Sequence, residues 1–178
     1  LKYEGRDIEM IKKINVGLIG AGFMGKAHVV AYSNMPKFFW PAPAVPVLKV
    51  VCDIEEAIAK EAKDRFGFEE AVTDWKEVVN NPDIDVISIC TPNDSHAEIA
   101  IAALEAGKHV YCEKPIASTH QDAKAMNDAA EKAAKKGIIS MCAYQYRRVP
   151  AIVLAKKFID EGSIGEILNV RAQYLQSW

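Results

Sequence analysis

Three glycines at fixed spacing constrain this chain more than any other feature. They stand in Gly20-Ala21-Gly22-Phe23-Met24-Gly25, after the apolar run Ile14–Ile19 and at the head of a helix-patterned stretch from about Phe23 to Asn34. A strand that breaks into a helix through G-x-G-x-x-G reads as the first turn of a dinucleotide-binding α/β unit. Gly20 permits the tight turn, Gly22 lets the backbone approach a pyrophosphate, and Gly25 lets the helix pack closely on the strand. The helix start, with Phe23 and Met24 in its first turn, offers free N–H groups and a positive dipole end to phosphates.

Beyond that turn, strand and helix patterns alternate. Val47–Cys52, Ala71-Val72, Val86–Cys90, His109–Cys112 and Ile138–Cys142 read as strands. Between them Ile54–Phe66, Asp74–Val79, Asp94–Ala106 and a segment opened by Thr119 read as helices. Strands apolar on both faces, alternating with helices, predict a doubly wound parallel sheet covered on both sides, a Rossmann fold. Residues 14–148 form this expected domain, behind an N-terminal extension at 1–13. Pro150 then starts a helix, Ala151–Glu161, and Ile167–Tyr174 reads as a strand of a different sheet. Residues 149–178 are therefore expected to be a linker helix and the first strand of a second, α+β domain.

In such a sheet ligands bind beyond the carboxyl ends of the strands. Three strand ends carry chemistry there. Asp53 closes the second strand, 28 residues past Gly25, where the usual spacing from the fingerprint is about 20. The proline-rich stretch Pro36–Pro46 supplies the excess. A carboxylate there accepts both ribose hydroxyls and repels a 2′-phosphate, and Ile54-Glu55-Glu56 offers no cation to offset that repulsion. This predicts NAD rather than NADP, although a helix cap would also account for an Asp. After the fourth strand, Thr91-Pro92-Asn93 would pass near the nicotinamide half of the cofactor, and Asn93 has the groups to bond it. A cap and turn use the same residues without a ligand. After the fifth strand comes Glu113-Lys114-Pro115. An ammonium at a strand's carboxyl end, beside a cofactor, is a candidate proton acceptor, and partial burial would tune it for that task. Pro115 would fix the turn, a cis bond being a proline speciality.

Composition excludes other classes. A net charge of −2 leaves no basic face for nucleic acid. No apolar run approaches the ~18 residues of a membrane span, and Leu1–Lys13 has no apolar leader core. Cys52, Cys90, Cys112 and Cys142 form no C-x-x-C pair, so no metal is expected. They read as reduced, buried thiols of a cytoplasmic protein. Pro36–Pro46, with four prolines and three aromatics, is too proline-rich for helix or central strand. It reads as a loop, either packed by its own aromatics or contacting another domain or subunit.

Together, Gly20–Gly25, His28, Thr91-Pro92-Asn93, His96, Ala106–Val110 and Glu113-Lys114-Pro115 closely resemble the Gfo/Idh/MocA oxidoreductases, the glucose–fructose oxidoreductase and inositol dehydrogenase relatives. The resemblance runs from Ile14 to the end of the chain. It implies oxidation of a sugar, polyol or related hydroxyl with hydride passing to NAD. It implies Lys114 as the active-site lysine, Glu113 as a group that orients Lys114 or the cofactor, His96 among the groups around the cofactor, and a homo-oligomer at full length. Two departures matter. Gln145 stands where the family usually has Asn. The family's Asp with a His four residues later is missing, since none of His28, His96, His109 and His120 has an Asp at that spacing. A non-catalytic NAD-binding sensor or scaffold module is the alternative reading.

Overall fold

A computed structural model describes residues 11–177, so most of the expected N-terminal extension lies outside the described residues. The chain divides into two compact units, residues 1–143 and 144–178.

The first unit is a six-stranded, wholly parallel sheet. Its strands are β1 (Lys13–Ile19), β2 (Val45–Cys52), β3 (Glu70–Val72), β4 (Val86–Ile89), β5 (His109–Cys112) and β6 (Ser140–Cys142). Their spatial order is β3-β2-β1-β4-β5-β6. The order reverses between β1 and β4, the crevice where such sheets bind ligands. Five helices cover the faces: α1 (Phe23–Phe38), α2 (Glu56–Phe66), α3 (Trp75–Asn80), α4 (His96–Glu105) and α5 (His120–Ala134).

Period-two alternation sorts the strand residues between two cores. Ile19, Cys52, Ile87, Ile89, Val110 and Cys112 pack with α3, α4 and α5 through Val78, Ile99, Ala103 and Met126. Leu18 and Val51 pack on the other face with Val29 of α1 and Ala62 of α2. Each Val, Leu, Ile or Met among these side chains, fully buried, contributes about 1.5–3 kcal/mol. Gly17 belongs to the first face for a steric reason: a Cβ there would lie 2.4 Å from Val78 Cγ1. At the far end of the sheet the Lys108 ammonium donates to the Asn81 and Ile84 carbonyls at 2.6 and 2.8 Å.

Several boundaries differ from the sequence reading. Helix α1 runs through Pro36 to Phe38, because a proline in the last turn removes only one late backbone bond. Phe39 N–H still closes that turn on Met35 O at 3.0 Å. Strand β2 begins at Val45 and includes Pro46, which pairs with Ile14. β3 reaches only Val50–Cys52, so at Pro46 the outer side of β2 needs no N–H. The expected loop therefore shrinks to about residues 39–44, with Phe38, Phe39 and Trp40 turned outward. Strand β6 starts at Ser140 because the Ile139 N–H is taken by His109 Nδ1 at 2.9 Å.

The second unit holds α6 (Pro150–Asp160), with its proline at the first helical position. Residues 167–174, expected as a strand, join no ladder. A strand persists only with hydrogen-bonded neighbours, and none among the described residues pairs with it. No helix among the described residues is long and apolar enough to cross a membrane.

Candidate active site

The crevice between β1 and β4 is built by two turns locked together. Gly20 has φ +91°, and a Cβ on it would meet the Cys90 carbonyl oxygen at 2.6 Å. Backbone bonds from Gly20 N–H to Cys52 O and from Cys90 N–H to Ile19 O, both 2.8 Å, tie the turn to its neighbours. A Cβ on Gly25 would lie 2.1 Å from Gly20 O, so only glycine lets α1 sit this close to the turn. Gly22 is different: a Cβ there meets nothing within 4 Å. That space is a cradle left open in front of the helix start.

Gly22 is the N-cap of α1, with no side-chain cap and no acidic residue in the first turn. Orphan helix amides normally find a capping oxygen. Here those of the first turn, at Phe23, Met24 and Gly25, face the open cradle, an arrangement that suits an anion. Phe23 is exposed and Met24 half-buried at the rim. Asp53 sits beside them. Its Oδ2 accepts from Ala21 N–H at 2.9 Å and its Oδ1 from Glu55 N–H at 3.1 Å. Glu55, not Asp53, is the N-cap of α2. The carboxylate is thus held against the glycine turn, with oxygen lone pairs left for hydroxyl donors. These residues fit a dinucleotide: donors for phosphate and a fixed carboxylate for a ribose.

The β4 turn is also braced. The Ser95 hydroxyl lies 2.7 Å from Thr91 Oγ1 and 2.8 Å from Pro92 O, while Pro92 and Asn93 are exposed at the edge of the crevice. His96, read from the resemblance as a group near the cofactor, is fully buried. Its ring nitrogens lie 3.0 Å from Thr91 O and 3.0 Å from Pro115 O. It therefore ties the β4 turn to the β5 turn from behind, with both ring nitrogens engaged by backbone carbonyls.

Of the two orienting roles expected for Glu113, the hydrogen bonds match the one toward Lys114. Glu113 is 5% exposed, its Oε1 lies 3.0 Å from His28 Nε2, and its Oε2 accepts the Lys114 N–H at 3.0 Å. The reason lies in the pleat. Tyr111 and Glu113 are two residues apart and face α1, as do Ser88 and Cys90 one strand away. His28 and Tyr32, one helical turn apart on α1, cover them. His28 Nδ1 lies 2.8 Å from Ser88 Oγ and 3.3 Å from Cys90 Sγ, and the ring stacks on Tyr111 at 5.0 Å. Burial pushes the Tyr32 phenol and the Cys90 thiol each up to about 12. The sequence carried one signal for this cluster: Ser88 is the single hydroxyl in an apolar strand, and a buried hydroxyl needs a partner.

Lys114 stands at the carboxyl end of β5, exposed rather than partly buried as expected, and its side chain has no hydrogen-bond partner among the described residues. The Lys114–Pro115 peptide is cis. The crevice edge thus gathers Gly20, Gly22, Phe23, Met24, Gly25, Asp53, Thr91, Pro92, Asn93 and Lys114, while His96 and Glu113 lie beneath it.

Residues 14–140 match the family described as an oxidoreductase family with an NAD-binding Rossmann fold. Levoglucosan dehydrogenase of Pseudarthrobacter phenanthrenivorans is 56% identical over 168 residues, covering 94% of this chain and 42% of the relative. A solved structure of levoglucosan dehydrogenase in complex with NADH and levoglucosan superposes with a TM-score of 0.84 at 57% identity, covering 88% of this chain and 41% of that one. Inositol 2-dehydrogenase of Salmonella paratyphi B is 32% identical over 162 residues, 90% of this chain and 46% of the relative. The chain spans less than half the length of these relatives. It belongs to the Gfo/Idh/MocA oxidoreductase family, and its parallel sheet is that family's NAD-binding Rossmann fold.

Proposed function

We propose that the whole protein is an NAD-dependent dehydrogenase of a sugar or polyol hydroxyl, and that this chain contributes its cofactor cradle and the lysine that handles the proton. The observation that carries the reading is the position of Lys114. It stands at the carboxyl end of β5, next but one to the glycine turn of β1 in the sheet order. Bound NAD supplies the hydride acceptor.

The chain's own residues do the rest. The α1 amides hold the pyrophosphate. Asp53 accepts the ribose hydroxyls and disfavours a 2′-phosphate. Thr91, Pro92 and Asn93 border the nicotinamide half. Lys114 takes the proton of the substrate hydroxyl while the carbinol C–H bond breaks and its electron pair leaves as hydride. The oxygen is left as the carbonyl of a ketone or lactone. The family pattern's Asp and His have no counterpart in these 178 residues. Residues 149–178 are proposed to lead into the part of the protein that walls the substrate. The likeness to levoglucosan dehydrogenase favours a pyranose. A homo-oligomer in a reducing, cytoplasmic compartment completes the proposal. The free thiols of Cys52, Cys90 and Cys112, each pushed up to about 12 by burial, suit such a compartment.

The test is NAD reduction by the natural full-length protein over levoglucosan, other pyranoses and inositols, with NADP in parallel. Turnover with NAD on at least one of them is expected. Cofactor binding without turnover on the whole panel would reject the enzymatic reading in favour of a binding module.

A further inference from the structure

We propose that His28 is a positioning residue for Lys114, acting through the buried carboxylate of Glu113. The inference rests on the proposed role of Lys114, and it concerns how a side chain of α1 reaches that lysine without touching it.

A buried carboxylate must be paired and hydrogen-bonded to be tolerated at all. Glu113 meets that demand in a way that fixes direction. One oxygen faces His28 Nε2 at 3.0 Å and the other holds the main-chain N–H of Lys114 at 3.0 Å. The carboxylate is an acceptor only, so the proton of the contact sits on Nε2. Ser88 Oγ stands 2.8 Å from the other ring nitrogen, Nδ1. Ser88, His28 and the main-chain N–H of the reacting lysine are therefore linked through one carboxylate, on which His28 and Lys114 converge from opposite sides. The ring cannot swing away, because Tyr111 stacks on it at 5.0 Å and Tyr32 meets it edge-on at 6.4 Å. The cluster is two layers deep and its two strands are adjacent in register, Ser88 beside Tyr111. Nothing in it faces the crevice, so its burial is not explained by contact with a cofactor. An otherwise exposed lysine next to a proline has no side-chain anchor of its own, and the Glu113 clamp supplies the fixed point from which its side chain departs.

Two amide replacements separate this from simple packing. In His28→Gln the side-chain N–H reaches the position of Nε2, so the bond to Glu113 survives. In His28→Asn the shorter amide reaches Ser88 but not Glu113. Hydrogen exchange at the Lys114 amide, read by fragment mass spectrometry on the natural protein, reports the clamp without any substrate. Exchange in His28→Gln should stay within about threefold of wild type, and in His28→Asn it should quicken by roughly tenfold or more. Turnover should follow the same order, with kcat of the Asn variant falling by about 10- to 100-fold while NADH affinity moves less than about threefold. Equal exchange in the two variants would overturn the inference, whatever the turnover. If the Asn variant does not melt cooperatively, Ser88→Ala replaces it. That change frees the far end of the ring and should quicken Lys114 exchange by about threefold, and unchanged exchange would overturn the inference. Wild-type protein without turnover on any sugar would reject the proposed function, while the exchange comparison would still decide the role of His28.

Discussion

Replacing Gly22 with alanine separates the stability of the fold from its affinity for a dinucleotide. At this position φ is −67° and ψ is −157°, which alanine adopts without strain, and a Cβ meets nothing within 4 Å. The folded state therefore loses no contact, while the unfolded chain loses freedom. Stability should be unchanged or rise, by no more than about 1 kcal/mol. The cradle in front of α1 is another matter. The new methyl would stand where a pyrophosphate must approach the amides of the first turn. Displacing one charge-assisted hydrogen bond costs about 1.5–3 kcal/mol, so the Kd for NADH should rise roughly 10- to 150-fold. Thermal melts and a titration of NADH fluorescence read the two effects separately. The reference variant is Gly25→Ala, whose methyl would lie 2.1 Å from Gly20 O. It should lose at least about 2 kcal/mol and about 4–8 °C in Tm. A Gly22→Ala protein that binds NADH as wild type does, or one that unfolds as readily as Gly25→Ala, would refute this separation.

Other perturbations test other parts of the molecule. Asp53→Asn should narrow the preference for NAD over NADP by at least about tenfold, because the fixed charge beside the ribose is gone; parallel titrations with both cofactors measure it. Lys108→Met keeps the aliphatic stem but orphans the carbonyls of Asn81 and Ile84, and should cost about 2–3 kcal/mol in urea unfolding with NADH affinity unaltered. Alkaline stability should also fall in a defined window. Burial raises Cys52, Cys90 and Cys112 from 9.0 to about 12 and Tyr32 from 10.0 to about 12. The folded state keeps protons that the unfolded chain has lost, so stability is full below about pH 9 and declines toward pH 12. Each such group contributes a loss of about 1.4 kcal/mol per pH unit within that window. Denaturant midpoints that stay flat from pH 8 to about pH 11 would contradict this.

Much of the cofactor half was legible because single residues carry it. Gly20 and Gly25 are needed where a Cβ would strike backbone, and Gly22 is needed where it would not, a distinction the spacing of the motif already implies. Asp53 could be placed because it ends an apolar strand. The cluster under Lys114 was harder to read. His28, Tyr32, Ser88 and Glu113 are scattered over 86 positions and meet only once the sheet order is known. The inward facing of His96 and Glu113 was hidden for the same reason, because the pleat and the turn bonds decide their direction. Proline punctuation was misread as well: Pro36 and Pro46 sit where a missing N–H costs little, at a helix end and on an outer strand side. Residues 167–174, whose alternation is only partial, join no ladder among the described residues.

The most direct test of the central claim is the turnover of the natural protein with Lys114→Ala beside wild type, measured as NADH formation on the best pyranose substrate at saturating NAD. In the variant kcat should fall by at least about 100-fold while the Kd for NADH stays within about threefold, because Lys114 serves the proton and the glycine turn serves the cofactor. Equal turnover in the two proteins, with wild-type NADH binding in both, would contradict that claim.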